Sequence, residues 1–470
     1  MEHTLPLGAP VGPIYRPRDP RAAAYFGVVR EHANTFFDVL LDSGVELPKH
    51  VRRRFVAYLG YGDLSRGFLR TRCPDCTHER LVPFCCKARA VCPSCTAKRS
   101  AAQTAHLIDA VLPDVPIRQW VLTLPFAIRG VYSVTPKLHG PVNRMFVEEI
   151  ARHYGHDGKA RHSGAVSFLQ RFGAALNLHV HSHVLAFDGA YVERGDDLVF
   201  EPAPPPTPDE ILEVSSRVAE RVASYFIREG VIDAEGLIQD DGSAPLGQGP
   251  RPKSGWLLAD GSVVESSPRV GSLPTSVAEY RGFSVHAGVA ISGHDADGRE
   301  RVVRYVSRPP FAEQQVQLCR DGRVAFRLTH PRPSGETHLF LHPLTFLRRV
   351  TSQIPPLGMN LVRYHGILAP AAKRRREVVR TAPPPHSPSA EGAGPTYLPN
   401  SSWAALLKRI FDVDALKCPD CGAQMRILAA IEDRDVIDRI LTHLGIDAAP
   451  VEPAPSRAGD LFTPSYADTG

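Results

Sequence analysis

Three histidines, His179, His181 and His183, alternate along the apolar run from Leu178 to Leu185. A β-strand points every second side chain to one face, so the three imidazoles project together while Val180 anchors the strand in a core. Isolated histidines on an apolar strand are usually hydrogen-bonded core residues. Three in alternation, buried without a shared partner, would leave polar nitrogens unsatisfied. Neutral imidazoles side by side instead make a shelf for a divalent metal ion. His183 lies about 13 Å along an extended strand from His179, so it either completes the site or falls just beyond reach. Gln170, on the preceding strand, is the alternative third donor. Such a site leaves coordination positions open and keeps the full positive charge of the ion, which suits polarising a phosphate oxygen. The helical His-Glu-x-x-His of zinc proteases is absent. Directly after the run, Asp188-Gly189 is a tight-hairpin signal.

The cysteines suggest a second metal. Cys73-Pro74-Asp75-Cys76 is followed by Cys92-Pro93-Ser94-Cys95. Each pair bends sharply enough to aim two sulfurs at one point, and two such knuckles complete a tetrahedral Zn²⁺ site. Cys85 and Cys86 lie between them, so Cys86 is an alternative ligand. A zinc module of this size folds because of its metal, so its role is structural. Flanking Arg70, Arg72, Lys87, Arg89, Lys98 and Arg99 favour phosphate contact. Cys418-Pro419-Asp420-Cys421 stands alone in the sequence, either half a zinc site or a vestigial knuckle, with His443 the nearest further donor. Nine cysteines, mostly in Cys-x-x-Cys pairs, point to a reducing compartment and so to the cytoplasm.

The elements that must position these residues are spread along 470 residues, a length that suggests roughly three domains. The expected organisation is a helical segment at 1–65, a zinc module at 66–105 and a large domain at 106–330 with an insertion at about 200–280. A basic extension at 331–380, a linker at 381–402, a small Cys-x-x-Cys module at 403–447 and a disordered tail at 448–470 complete it. Strands are expected at Gln119 to Leu124, Ala165 to Phe172, Ala190 to Val192 and Phe283 to Val289, and helices over 142–154 and 299–307. Ile211, Val214, Val218, Val222 and Phe226 share one helical face after a Pro-rich linker. The fold class is therefore α+β. Net charge is only +5, but basic residues cluster at Arg52 to Arg54, at Lys98 and Arg99, at Arg301, Arg304 and Arg308, and at Lys373, Arg374, Arg375 and Arg376. Such clusters suit a polyanion, although any single one is more often a solvated face. No stretch approaches the ~18 apolar residues of a membrane span, so no membrane partner is expected. No Gly-x4-Gly-Lys-Ser/Thr loop is present, so no nucleotide cofactor is expected either.

Leu169-Gln170-Arg171-Phe172-Gly173 through His179-Val180-His181 resembles the His-hydrophobic-His motif of rolling-circle (HUH) nucleases. The order of parts resembles the insertion-sequence transposases of the IS-ninety-one family, including its common-region (ISCR) branch. Those parts are the six-cysteine module, the histidine strand, Gly282 to Gly288, Arg304-Tyr305-Val306-Ser307-Arg308-Pro309-Pro310, Arg363 to Pro370 and the Cys418/Cys421 pair. The resemblance implies an antiparallel-sheet endonuclease that uses Mg²⁺ or Mn²⁺ and acts on single-stranded DNA or hairpin element ends. It also implies that Tyr305 attacks the scissile phosphate, leaving a 5′-phosphotyrosine and a free 3′-hydroxyl. Some members carry two tyrosines four residues apart; here Arg301 holds the earlier position, which matches a one-tyrosine variant. A phenol with a pKa of about 10 needs activation, and Arg301, Arg304 and Arg308 fall near Tyr305 on a helix. With Lys373, Arg374 and Arg375 they are the expected DNA contacts. Tyr364 and His365 are expected to shape a DNA channel, without a catalytic role. A plasmid replication initiator or mobilisation nuclease of the same superfamily, and a noncatalytic zinc DNA-binding protein, are the competing readings.

Overall fold

The computed structural model describes residues 20–233, 276–379, 415–446 and 451–458. The chain divides into two compact units, one drawn from 1–102, 311–347 and 386–470, the other from 103–310 and 348–385. These bounds differ from the segments read along the sequence. Residues 311–330 fall with the zinc module, and the expected 331–380 extension is shared between the units. The expected insertion and the 381–402 linker lie mainly outside the described residues. The architecture is α+β with antiparallel sheets.

The second unit is built on a six-stranded antiparallel sheet. Its order is Val362–Gly366, Gly164–Phe172, Leu178–Phe187, Ile117–Thr123, Phe283–Ile291 and Val277–Tyr280. Alternation along the histidine strand Leu178–Phe187 decides what each face does. Val180, Val184 and Ala186 turn to one side and join Trp120 and Leu122. Helix Pro136–His153 covers that side with Leu138, Val142, Phe146 and Ile150. Helix Pro208–Arg228 adds Ile211, Val214, Val218, Val222 and Phe226, the stripe its spacing predicts. A capping box, Thr207 with Glu210, starts that helix where the Pro-rich linker ends. The opposite face is divided. Leu185 and Phe187 lie in a second apolar cluster with Val302, Val303 and Val306 of helix Ala296–Ser307, whereas the histidine end of that face is not roofed in this way.

Asp188-Gly189 does not make the expected hairpin. The chain instead passes from the large sheet into a separate three-stranded sheet of Arg161–His162, Gly189–Arg194 and Asp197–Pro202. The Asp188 carboxylate is buried and accepts from Arg118 Nε (2.8 Å) and Nη2 (2.7 Å) and from the Tyr154 hydroxyl (2.8 Å). Its backbone N–H donates to Pro116 O at 2.8 Å. Gly189 has φ +150° with the Glu201 carbonyl where a Cβ would sit, so the kink requires glycine.

In the first unit, helices Ala24–Asp42 and Lys49–Leu59 precede a three-stranded sheet of Glu79–Pro83, Phe68–Arg72 and Arg426–Ile431. The last strand comes from the expected C-terminal module, which therefore does not stand apart. Helix Arg434–His443 seals the arrangement by packing Ile437 and Leu441 on Phe68. A meander of Val316–Leu318, Val324–Arg327 and His338–Leu341 belongs to the same unit. Part of the expected disordered tail is ordered. Ala454 N–H donates to Arg30 O at 2.7 Å, and Arg457 pairs with Glu31 at 2.7 Å. Among the described residues no helix is long and apolar enough to cross a membrane.

Candidate active site and cysteine knuckles

The three imidazoles form a ladder, with ring centroids 4.9 Å apart from His179 to His181 and 4.8 Å from His181 to His183. His183 is the deepest at 3% exposed. The His181 Nδ1–H donates to the His179 carbonyl (2.9 Å), which leaves Nε2 as the lone-pair nitrogen. The Gln119 side chain lies 2.7 Å from His183 Nδ1, while His183 Nε2 is buried without a partner. Register pairs Val121 with both His183 and His286, so His286 joins the same face two strands from His183. These residues line one cleft of about 600 Å³, together with Arg301 and Tyr305. Sequence reasoning assigned Gln119 and His286 no role, because only the strand order brings them there.

Tyr305 stands on helix Ala296–Ser307 at the edge of this cleft, 46% exposed. Its ring meets His183 edge-on, with centroids 5.7 Å apart, and the Arg308 guanidinium lies 4.7 Å from the centre of the tyrosine ring. Two buried contacts fix the helix. At its N-terminal end, Arg299 donates to Asp114 Oδ1 (2.6 Å) and to the carbonyls of Gly293, Leu112 and Pro113. At its C-terminal end, Gln170 Nε2 donates to the Tyr305 (3.2 Å) and Val306 (2.8 Å) carbonyls, the first of which also accepts from the Arg308 N–H at 3.4 Å. Gln170 Nε2 is thus taken by the tyrosine helix, while Oε1, the atom through which an amide ligates a metal, is buried without a hydrogen-bond partner. It shares a cross-strand row with His181.

Burial lowers the basicity of all three histidines. His179 and His181 are pushed down to about 4 and His183 to about 2, with neighbouring imidazoles and arginines adding to the effect. They are therefore neutral near pH 7, the state a metal ligand needs. Two adjacent rings and the unpartnered His183 Nε2 suit one divalent cation completed by water or phosphate. The three do not converge as a closed set. Among the described residues, only cysteines bring three or more donor atoms within 4.8 Å of one another.

The cysteines pair differently from the expected Cys73, Cys76, Cys92 and Cys95. Cys73 and Cys76 cluster with Cys418 and Cys421, whereas Cys86, Cys92 and Cys95 form a second group. The reason is the strand pairing of Phe68–Arg72 with Arg426–Ile431, which brings the second Cys-Pro-Asp-Cys knuckle onto the first. Around the second group, Lys87, Arg89, Lys98 and Arg99 line a common pocket. Burial, with Arg99 and Arg54 nearby, lowers Arg89 to about 10, a sign of cations crowded against one another. Arg70 and Arg72 instead face Glu79.

The other expected DNA contacts divide in the same way. Arg301 is exposed, with Asp295 at 3.9 Å, and Arg304 pairs with Glu300. Lys373 is exposed. Arg374 is held by Glu193 (3.1 Å) and Glu377 (2.6 Å), and Arg375 donates to the Leu368 carbonyl, so these two are tied into the fold. His365 lies 2.9 Å from Ser167 Oγ and 3.1 Å from Asn143 Nδ2, a structural cluster.

Residues 164–376 match a family model described as "Putative transposase", and residues 28–124 match one described as "Transposase zinc-binding domain". The chain belongs to the IS91 family of insertion-sequence transposases, and its partner is DNA. It is 24% identical over 373 residues to the transposase for insertion sequence element IS801 of Pseudomonas savastanoi pv. phaseolicola. That match covers 76% of this chain and 78% of the relative. No solved structure matches the chain. The zinc-binding match and the cysteine clusters together support structural Zn²⁺.

Proposed function

We propose that the second unit nicks and rejoins one DNA strand, with Tyr305 as nucleophile, in rolling-circle transposition of an element with single-stranded or hairpin ends. The observation that carries this reading is the Tyr305 ring set against His183 beside a cleft lined by all three ladder histidines. The phenol gives up its proton to solvent as its oxygen attacks phosphorus, the bond to the 3′ oxygen breaks, and that oxygen takes up a proton from solvent. The strand is left as a 5′-phosphotyrosine ester and a free 3′-hydroxyl. The ester conserves the phosphodiester's bond energy, so rejoining by the reverse attack needs no nucleotide triphosphate.

Arg308, beside the phenol ring, draws in the scissile phosphate. Arg301, one helical turn earlier and lining the same cleft, is the second phosphate contact. Gln170 and Arg299 hold the helix so that the hydroxyl meets the scissile bond in one orientation. Mg²⁺ or Mn²⁺, when bound at the ladder, supplies positive charge to a non-bridging phosphate oxygen. The test is a denaturant-stable adduct between the full chain and labelled single-stranded DNA in the presence of Mn²⁺ or Mg²⁺. Tyr305→Phe should abolish the adduct while still binding DNA. Nicking by Tyr305→Phe at the wild-type rate would remove Tyr305 as nucleophile, and no nicking by wild type on any element end would favour a noncatalytic binder.

A further inference from the structure

We infer that the first unit holds two zinc ions, and that one of them clamps the two distant parts of this unit together. Its ligands are Cys73, Cys76, Cys418 and Cys421. The second ion is held by Cys86, Cys92 and Cys95, with Cys85, which lies against Cys95, as the remaining donor. The matched zinc-binding region ends at residue 124, so it contains only half of the clamp.

The sulfur geometry carries the assignment. Cys73 Sγ lies 3.4 Å from Cys421 Sγ, and Cys76 Sγ lies 3.5 Å from Cys418 Sγ, across 348 and 342 residues of sequence. Four sulfurs at about 2.3 Å from a tetrahedral Zn²⁺ lie about 3.8 Å from one another. A disulfide would need about 2.05 Å. The two knuckles are the same tetrapeptide, Cys-Pro-Asp-Cys, and they fold alike. Cys73 N–H donates to the His78 carbonyl and Cys418 N–H to the Ala423 carbonyl, each at 2.8 Å. Cys92-Pro93-Ser94-Cys95 differs, because it opens the helix Pro93–Ala110.

Supporting contacts cross the clamp as well. His78 Nδ1 lies 2.7 Å from Asp420 Oδ2, and Arg80 Nη2 donates to the Ala415 carbonyl at 3.0 Å. Cys73, Cys418 and Met425 form a small buried cluster, so two of the four thiolates are shielded from water. The ion therefore fixes the edge strand Arg426–Ile431 to Phe68–Arg72, and the segment after residue 414 is part of the zinc module.

Zinc counted by elemental analysis and native mass spectrometry of the full chain tests this pairing. Wild type should carry two ions. Cys73→Ser/Cys76→Ser, Cys418→Ser/Cys421→Ser and the combination of all four should each carry one, because they empty the same site. Cys73→Ser/Cys76→Ser combined with Cys92→Ser/Cys95→Ser should carry none. Should Cys418→Ser/Cys421→Ser keep the wild-type count, or should the Cys73/Cys76 and Cys92/Cys95 pairs prove to share one ion, the inference fails. A reading free of variant folding comes from Co²⁺ titration of metal-free wild type. Thiolate charge-transfer absorption should rise to two equivalents, and saturation at one equivalent would overturn the assignment.

Discussion

In the cysteine region, Cys73, Cys76, Cys418 and Cys421 bring four sulfurs within 4.8 Å of one another although two of them come more than 340 residues after the others. On the histidine strand, His179, His181 and His183 are two residues apart, yet their nitrogens do not close around a common point. The difference lies in the backbone that carries them. A Cys-x-x-Cys knuckle turns back on itself and aims both sulfurs inward. An extended strand repeats on one face about every 6.6 Å, so its side chains can stand parallel but cannot surround an ion. The knuckles therefore form a closed set of donors, and the proposed ladder site is an open one with room for an exogenous oxygen.

The largest expected effect follows from that contrast. Structural zinc contributes on the order of 10 kcal/mol to the folding of small zinc modules. A strong chelator should therefore strip hydrogen-exchange protection from Phe68–Arg72 and Arg426–Ile431. The amides of Leu178–Phe187, held by two neighbouring strands and two apolar clusters, should keep theirs. Equal loss in both places would break the comparison, since the ladder would then also be a folding site.

His181→Ala sharpens it from the other side. Thermal stability should change by less than for the cysteine variants, and the rate of metal-dependent nicking should fall about 10²- to 10³-fold, as when one group that stabilises transition-state charge is lost. Binding of single-stranded DNA, measured by fluorescence anisotropy, should stay within about threefold, because arginines are the proposed phosphate contacts. A nicking rate close to wild type would show that the ladder is not the catalytic shelf.

The sequence revealed these two regions unequally. Alternation placed the three histidines on one face and Val180 in the core, because a strand's period of two is local. The stripe of helix Pro208–Arg228 was legible for the same reason. Which knuckle meets which was not legible, since two Cys-Pro-Asp-Cys turns and one Cys-Pro-Ser-Cys turn satisfy any pairing until the 68–72 and 426–431 strands join. Asp188-Gly189 misled because buried bonds from Arg118 and Tyr154 decide the path there, and both residues are remote in sequence. Gln119 and His286 reach the cleft only through strand order, and Gln170 changes role once a helix end lies over it.

Acid separates ladder chemistry from ordinary burial. His139 is held down to about 4 by burial and Arg171, with its Nε2 on the Tyr132 carbonyl, and burial likewise holds His365 at about 4. Both fold neutral and charge more readily when unfolded. The stability they support is complete above about pH 6.5 and is lost as the pH falls towards 4, by up to about 1.4 kcal/mol per pH unit for a buried histidine. The ladder histidines shift in the same direction unless a metal holds them. Protection factors within Pro136–His153, from exchange rates corrected for the pH dependence of exchange itself, should fall over that window, and His139→Leu should flatten the dependence. Protection factors unchanged between pH 6.5 and 4 would mean that His139 charges in the fold as readily as in the unfolded chain.

The smallest effect belongs to Gln170, the residue that the sequence offered as a metal donor. Its Nε2 donates to the Tyr305 and Val306 carbonyls, so it acts on the proposed nucleophile through the backbone, while its Oε1 has no hydrogen-bond partner. Gln170→Leu keeps the volume but takes the side-chain donor from both carbonyls and leaves Tyr305 only the Arg308 N–H, which costs roughly 1–3 kcal/mol of local order. Loosening the end of the helix should lower the single-turnover nicking rate about tenfold. The metal concentration for half-maximal rate should stay unchanged, because no ladder nitrogen is touched. Gln170→Glu separates the two roles further. A carboxylate repels the carbonyls and should slow nicking as leucine does, whereas a true ligand position would gain metal affinity from the added charge. A lower half-maximal metal concentration in Gln170→Glu would return Gln170 to the metal site and make the open ladder a closed one.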